Sequence, residues 1–179
     1  MIIPSLRQLT LVLLTFSPGA VLQAGKVTFA RERFSVDIPA DWKKGKGPDD
    51  GAILYRNAPG GEGSFSIYQL PVAKDHRANL EGTLAERVKA IRKAGLKVSA
   101  EVKSQKQDNF DGKSAVFAVV PIEASYRDQV IKFTYYLVLI DARNSVIIMQ
   151  AALPRPLTPK LQQGALGIIQ SFREKKQVP

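Results

Sequence analysis

The chain has no cysteine, and only one histidine, one tryptophan and two methionines in 179 residues. Without a thiol there are no disulfides, no thiolate metal ligands and no cysteine nucleophile, so the core must supply the stability. A structural zinc cage draws its four ligands mainly from Cys and His, and a single imidazole cannot provide them. A lipid-modified N-terminal cysteine is excluded on the same ground. No apolar run reaches the roughly 20 residues that a bilayer-spanning helix needs. Acids are the scarce charge: 16 Asp and Glu stand against 26 Lys and Arg, a net +10. Such an excess attracts nucleic acid, lipid headgroups, acidic glycans or acidic proteins without choosing among them. Spread along the chain as it is, it reads first as a solvated surface.

What is present begins with a leader. Met1 to Lys26 reads MIIPSLRQLTLVLLTFSPGAVLQAGK. Arg7 precedes an apolar run from Leu9 to Phe16; Ser17, Pro18 and Gly19 then break any helix, and small Ala20 and Ala24 follow. This three-part layout is that of a secretory signal peptide over residues 1–24, cleaved after Ala24 or, as the alternative, after Ala20. Removing it deletes one cation, Arg7, and leaves 25 against 16, a net +9. Residues 25–179 then form a single domain, periplasmic or secreted, that meets anionic envelope material or proteins before it meets nucleic acid. A chain of this length buries about 68–70% of its unfolded surface and folds without a metal.

Periodicity sets the expected elements. Phe34, Val36 and Ile38 alternate with Arg33, Ser35 and Asp37, the pattern of a half-buried strand, after a shorter strand over Lys26–Ala30. Pro39 ends the strand and Ala40-Asp41-Trp42 turns the chain into a polar loop, Lys43–Gly51. Strands follow at Ile53–Tyr55 and Ser64–Leu70, separated by Asn57-Ala58-Pro59-Gly60-Gly61-Glu62-Gly63. Leu80, Leu84, Val88 and Ile91 form one apolar helical stripe, with Asn79 as N-cap and Gly95 at the left-handed C-terminal position. Leu96–Gln107 reads as one long polar strand, closed by the Asp111-Gly112 turn. Lys113–Glu123, Gln129–Asp141 and Ser145–Ala152 continue as an antiparallel meander, because their connections are too short for anything else. In the second of these, Ile131, Phe133, Tyr135, Leu137 and Leu139 share an uncharged face, expected to be fully covered by a helix. The opposite face is more mixed and expected to be partly covered. Thr158-Pro159 opens a last helix whose stripe is Leu161, Ala165, Ile168 and Phe172, with Arg173, Lys175 and Lys176 at its negative end.

No complete catalytic set emerges. His76 lies in the loop Lys74-Asp75-His76-Arg77, and a sequence neighbour is no proof of the partner geometry a general base requires. Asp108-Asn109-Phe110-Asp111-Gly112 lacks the ligand alternation and closing glutamate of a calcium loop and reads as a hairpin turn. The glycines at 45, 47 and 51, and at 60, 61 and 63, lack the phosphate-loop Lys-Ser/Thr and lead into no helix, so they read as loops. Asp37, Asp41, Asp49, Asp50, Glu123 and Asp141 sit in turns or at strand ends, where nothing pairs them across a cleft. Trp42, Tyr55, Tyr68, Tyr126, Tyr135 and Tyr136 carry polar tips on apolar bodies, the composition of binding surfaces as well as of strand-end packing. Trp42, Tyr126 and Arg127 are the expected partner contacts, the last two at a hairpin tip. No catalytic, metal or cofactor residue is expected.

Three features together resemble the PsbP-like superfamily, which also holds the DcrB-like periplasmic proteins. They are the run Phe34-Ser35-Val36-Asp37-Ile38-Pro39-Ala40-Asp41-Trp42, an amphipathic helix ahead of a long antiparallel meander, and a closing helix ending in Ser171-Phe172 before charged residues. The likeness spans Val27 to Lys175. It implies an α+β fold, an antiparallel sheet of about six to eight strands flanked by helices in an α/β/α sandwich. It also implies protein binding or assembly work without a shared active site, and it transfers no functional residue. The expected function is therefore an exported binding or accessory protein without enzymatic activity or cofactor, recognising a protein or an anionic envelope component. A hydrolase of envelope polymers using dispersed carboxylates, or a carrier of a small apolar ligand, is the alternative.

Overall fold

Alternating β-branched and aromatic residues along three successive runs make the centre of the fold, because each run can bury both of its faces. The computed structural model describes residues 24–47, 51–73 and 76–175. The expected leader up to residue 23, Asp49, Asp50, Lys74, Asp75 and Lys176 lie outside them. In chain order the elements are β1 (Ala24–Phe29), β2 (Phe34–Pro39), β3 (Lys43–Lys44), β4 (Leu54–Asn57), β5 (Ser64–Pro71), α1 (Leu80–Lys93), β6 (Lys97–Val98), β7 (Lys103–Phe110), β8 (Lys113–Tyr126), β9 (Gln129–Ala142), β10 (Ser145–Pro154), α2 (Pro159–Gln170) and β11 (Arg173–Glu174). A short 3₁₀ turn, Pro59–Gly61, links β4 to β5.

The main sheet is antiparallel and eight-stranded, β3-β4-β5-β10-β9-β8, with β6 and β7 sharing the outer edge of β8. A separate three-stranded sheet, β1-β2-β11, was not anticipated. On one face of the main sheet, Val116, Ala118, Val120 and Ile122 of β8, Leu137 and Leu139 of β9, and Val146 and Ile148 of β10 meet Leu80, Leu84, Val88 and Ile91 of α1. On the other face, Val138, Ile140, Ile147, Met149, Ala151 and Leu153 meet Leu161, Ala165, Ile168 and Ile169 of α2 and the small sheet. Four stacked or edge-on ring contacts run Phe29–Phe34–Phe172–Phe110–Phe117, at centroid distances of 5.5, 5.7, 6.2 and 5.4 Å. Each such pair adds about 0.5–1.5 kcal/mol beyond the area it buries, and the chain of rings joins the small sheet to the large one.

The expected stripe of α1 is wholly buried, Asn79 Oδ1 accepts from the Gly82 N–H at 2.9 Å, and Gly95 adopts φ +81°. The hairpins turn at Asp111-Gly112, Arg127-Asp128 and Arg143-Asn144 as expected, with both central residues at positive φ in the first two. Two expectations fail. The single strand over Leu96–Gln107 is broken into β6 and β7 by residues 99–102. Opposite the break lies Pro121 of β8. The Ser99 N–H donates to the Pro121 carbonyl at 2.9 Å, so that residue's polar groups face this edge, and proline has no N–H to continue the ladder there. Coverage of β9 also divides along the strand rather than between its faces. Leu137 and Leu139 are buried under α1, whereas Ile131, on the same face, is 39% exposed.

Candidate functional site

The pleat places Tyr55 (β4), Ser66 (β5) and Gln150 (β10) in one row across the α1 side of the sheet, and Asn57, Ser64, Ala152 and Tyr135 in the next. Helix α1 stops short of the second row. There the sheet is open, and Tyr55, Asn57, Phe133, Tyr135 and Ala152 floor a depression of about 200 Å³ rimmed by Gly61, Glu62 and Gly63. Typical ligand pockets run from about 300 Å³ upward, so this one suits a small molecule or a single side chain. Gly61 and Gly63 of the run read as a loop form its rim, with Gly60 and Gly61 both at φ +74°.

Arg87 reaches from α1 to Gln150, in the row beside this depression. Its Nε and Nη2 donate to Gln150 Oε1 at 3.1 and 2.8 Å, and its guanidinium lies 4.2 Å from the centroid of the Tyr68 ring. Burial pushes the Tyr135 phenol above its ordinary pKa, Arg87 pulls it down, and Tyr68 and Tyr55 add to the rise. Two of the six polar-tipped aromatics singled out in the sequence, Tyr68 and Tyr135, thus feel one charge. What sequence reasoning missed is Arg87, which the helical pattern assigned to the solvated face of α1. Only the length of the arginine side chain, able to lay its stem along apolar surface, hinted otherwise.

The hairpin β8–β9 runs on past its neighbours. β6 pairs with β8 only at Ile122 and Glu123, and β10 pairs with β9 only from Phe133 onward. Residues 124–132 therefore have no further strand beside them among the described residues. Tyr126 is 59% exposed, Val130 60% and Ile131 39%. Tyr126 and Ile131 share the face that continues through Phe133 to Tyr135 and the depression. Arg127 lies 5.2 Å from the Tyr126 ring centroid.

Trp42, the third expected contact, is instead a core residue. It is 4% exposed, and a methyl group at Gly164 of α2 would stand 3.1 Å from its Nε1. The turn after Pro39 points the indole inward, and Trp42 also lines an open hollow of about 540 Å³ with Gly25, Val27 and Arg56. Tyr136 faces the α2 side, where its hydroxyl accepts from Gln162 Nε2 at 3.1 Å and burial raises its pKa. His76 stands in the exposed linker ahead of α1, its N–H bonded to the Ala73 carbonyl at 3.2 Å.

The acids do not line a cleft. Glu123 pairs with Lys97 at 3.1 Å and Lys132 at 3.9 Å, and Asp41 with Lys160 at 3.8 Å. Among the described residues, Asp111 and Glu174 share a cation: Lys113 bridges both, at 3.6 and 3.2 Å, while Arg33 pairs with Glu174 at 2.7 Å. Among the described residues no three His, Cys, Asp or Glu side chains gather closely enough to hold a metal ion. No helix among them is long and apolar enough to cross a membrane.

No protein-family model and no curated protein matches the sequence. Solved structures do. The solution structure of cyanobacterial PsbP from Synechocystis sp. PCC 6803 superposes with a TM-score of 0.65 at 11% identity, over 90% of this chain and 99% of that one. A crystal structure of a protein from Bacteroides thetaiotaomicron gives 0.58 at 14% identity, over 87% of this chain but half of that longer one. Sequence identities this low speak to architecture alone, and the architecture is plain: the chain has the PsbP-like α+β fold.

Proposed function

We propose that this chain is an exported accessory protein without enzymatic activity, which recognises a partner protein through the tip of the β8–β9 hairpin. The observation that carries this reading is the exposure of Tyr126 and Ile131 on one face and Val130 on the other, at the end of a strand pair that runs past its neighbouring strands among the described residues. Amphipathic aromatics and arginine are the residue types that dominate binding energy at protein interfaces, and Tyr126 carries Arg127 beside it. The net +9 left without residues 1–24 supports an acidic partner by steering the encounter. The engagement of Asp41, Glu123, Asp111 and Glu174 in ion pairs supports a binding role over carboxylate chemistry.

The test places a photo-reactive amino acid at Val130 of the full chain, produced in its own host, with Ser104 of exposed β7 as the control position. The expected result is a discrete protein adduct from Val130 alone, lost when Tyr126→Ser and Arg127→Glu are combined, on a chain whose intact mass lacks residues 1–24. Equal adducts from both positions, adducts to polymer or lipid only, or survival of the adduct in the double variant would overturn the reading.

A further inference from the structure

Arg87 is half-buried, and among the described residues no carboxylate lies within 4.0 Å of it. A guanidinium removed from water is best compensated by a carboxylate, which it grips through two parallel hydrogen bonds. Here its companions are an amide oxygen and a ring face, both neutral. Gln150, 8% exposed, fixes the fork by accepting from Nε and Nη2, and the Nη1 donors have no hydrogen-bond partner among the described residues. The side chain is thus held in place with donors to spare, which lowers the ordering cost of binding.

The surroundings share this bias. Tyr55 and Tyr135 both line the depression, Tyr135 within the electrostatic reach of Arg87, and their hydroxyls have no hydrogen-bond partner among the described residues. Phe133 and the methyl of Ala152 supply an apolar floor. Glu62 stands on the rim and opposes a second negative charge there. We propose that Arg87, with the Tyr135 and Tyr55 hydroxyls, is the anchor of a binding site for a small organic monocarboxylate whose apolar or aromatic body lies against Phe133. A tyrosine phenol is protonated at neutral pH in any case, and burial moves Tyr135 further from ionisation, so it is a donor to such an anion and not a competing charge. The site is distinct from the hairpin tip and stands or falls apart from it.

The probe is phenylacetate titrated into the full chain, followed by side-chain and backbone chemical shifts, beside phenylacetamide, which keeps the ring and loses the charge, and acetate, which keeps the charge and loses the ring. Saturable shifts centred on Tyr55, Arg87 and Tyr135 are expected, with phenylacetate at least about tenfold tighter than either control, the scale of one charge-assisted contact. Arg87→Gln should abolish the preference for the carboxylate over the amide. Tyr135→Phe, which keeps the ring and its packing, should weaken phenylacetate several-fold. Tyr126→Ser, aimed at the hairpin, should leave all three titrations unchanged. Equal affinities for acid and amide in the parent chain, shifts centred elsewhere, or full affinity in Tyr135→Phe would overturn the proposal, the last even if Arg87→Gln failed to fold.

Discussion

Aromatic residues with a polar tip present the same sequence signature whether they pack or protrude, and this chain uses both options. Trp42 follows a proline that ends β2 and is swung under α2, whereas Tyr126 ends β8 in solvent. The alternation within each strand was legible, but which end of a strand has a neighbour depends on pairings distant in sequence. The energetic consequence separates the two residues. Trp42→Ala should cost about 3–5 kcal/mol, as expected for emptying a core site. Tyr126→Ala should stay within about 0.5 kcal/mol, and urea unfolding of both variants checks the contrast. Tyr135 and Tyr136 give a pH signature. Both phenols have folded-state pKa values raised mainly by burial, so the unfolded chain, titrating near 10, loses these protons first. Stability should therefore be full below about pH 10 and decline as pH rises above it, until the folded-state phenols ionise too. A Tyr135→Phe, Tyr136→Phe double variant should show a shallower decline in denaturant midpoints measured across that range.

Helices and hairpins were the readable elements, because their signals are local. The α1 stripe, its Asn79 cap and Gly95 all lie within 17 residues of each other, and the structure uses each as the spacing implied. Replacing Asn79 with Ala should cost about 1 kcal/mol, since the Gly82 N–H loses its acceptor. Gly112 offers a sharper case. At φ +74° in the β7–β8 turn it has open space for a methyl group, yet the backbone strain remains. Gly112→Ala should therefore cost about 1–2 kcal/mol with no loss of packing, and thermal unfolding of the two variants tests both values. The unreadable elements are those whose cause is elsewhere. Pro121 interrupts a strand more than 20 residues before it, and β11, read as a charged helix tail, becomes a strand only because Ser35 and Phe34 of β2 receive it. The open face between α1 and the hairpin tip, which holds the candidate site, is also a product of such distant pairings. Its tyrosines could be singled out from sequence, but the approach of Tyr68 and Tyr135 to Arg87 could not.

Across the whole molecule, charge holds β11 to the start of β2 and to β8. Glu174 of β11 pairs with Arg33, just before β2, and with Lys113 at the start of β8; Arg173 and Lys113 both approach Asp111. Backbone bonds complete the clamp, with the Glu174 N–H donating to Asp111 Oδ2 at 3.0 Å and the Lys175 N–H to the Arg33 carbonyl at 2.8 Å. The side chains of Arg33, Lys113, Asp111 and Glu174 are 29%, 18%, 24% and 12% exposed, so water screens them only in part. An isolated surface pair would contribute little, whereas cutting one acid out of a partly buried group leaves several cations facing each other. Glu174→Gln keeps the shape and removes the charge that Arg33 and Lys113 share. It should lower stability by about 1–3 kcal/mol, more than the loss of an exposed pair such as Lys89 with Glu86. It should also speed hydrogen exchange at β11 and β2 before it affects α1, which packs on the opposite face of the main sheet. Exchange rising equally across α1 and β11 would mean that the clamp acts on the molecule as a whole and not on the small sheet it closes.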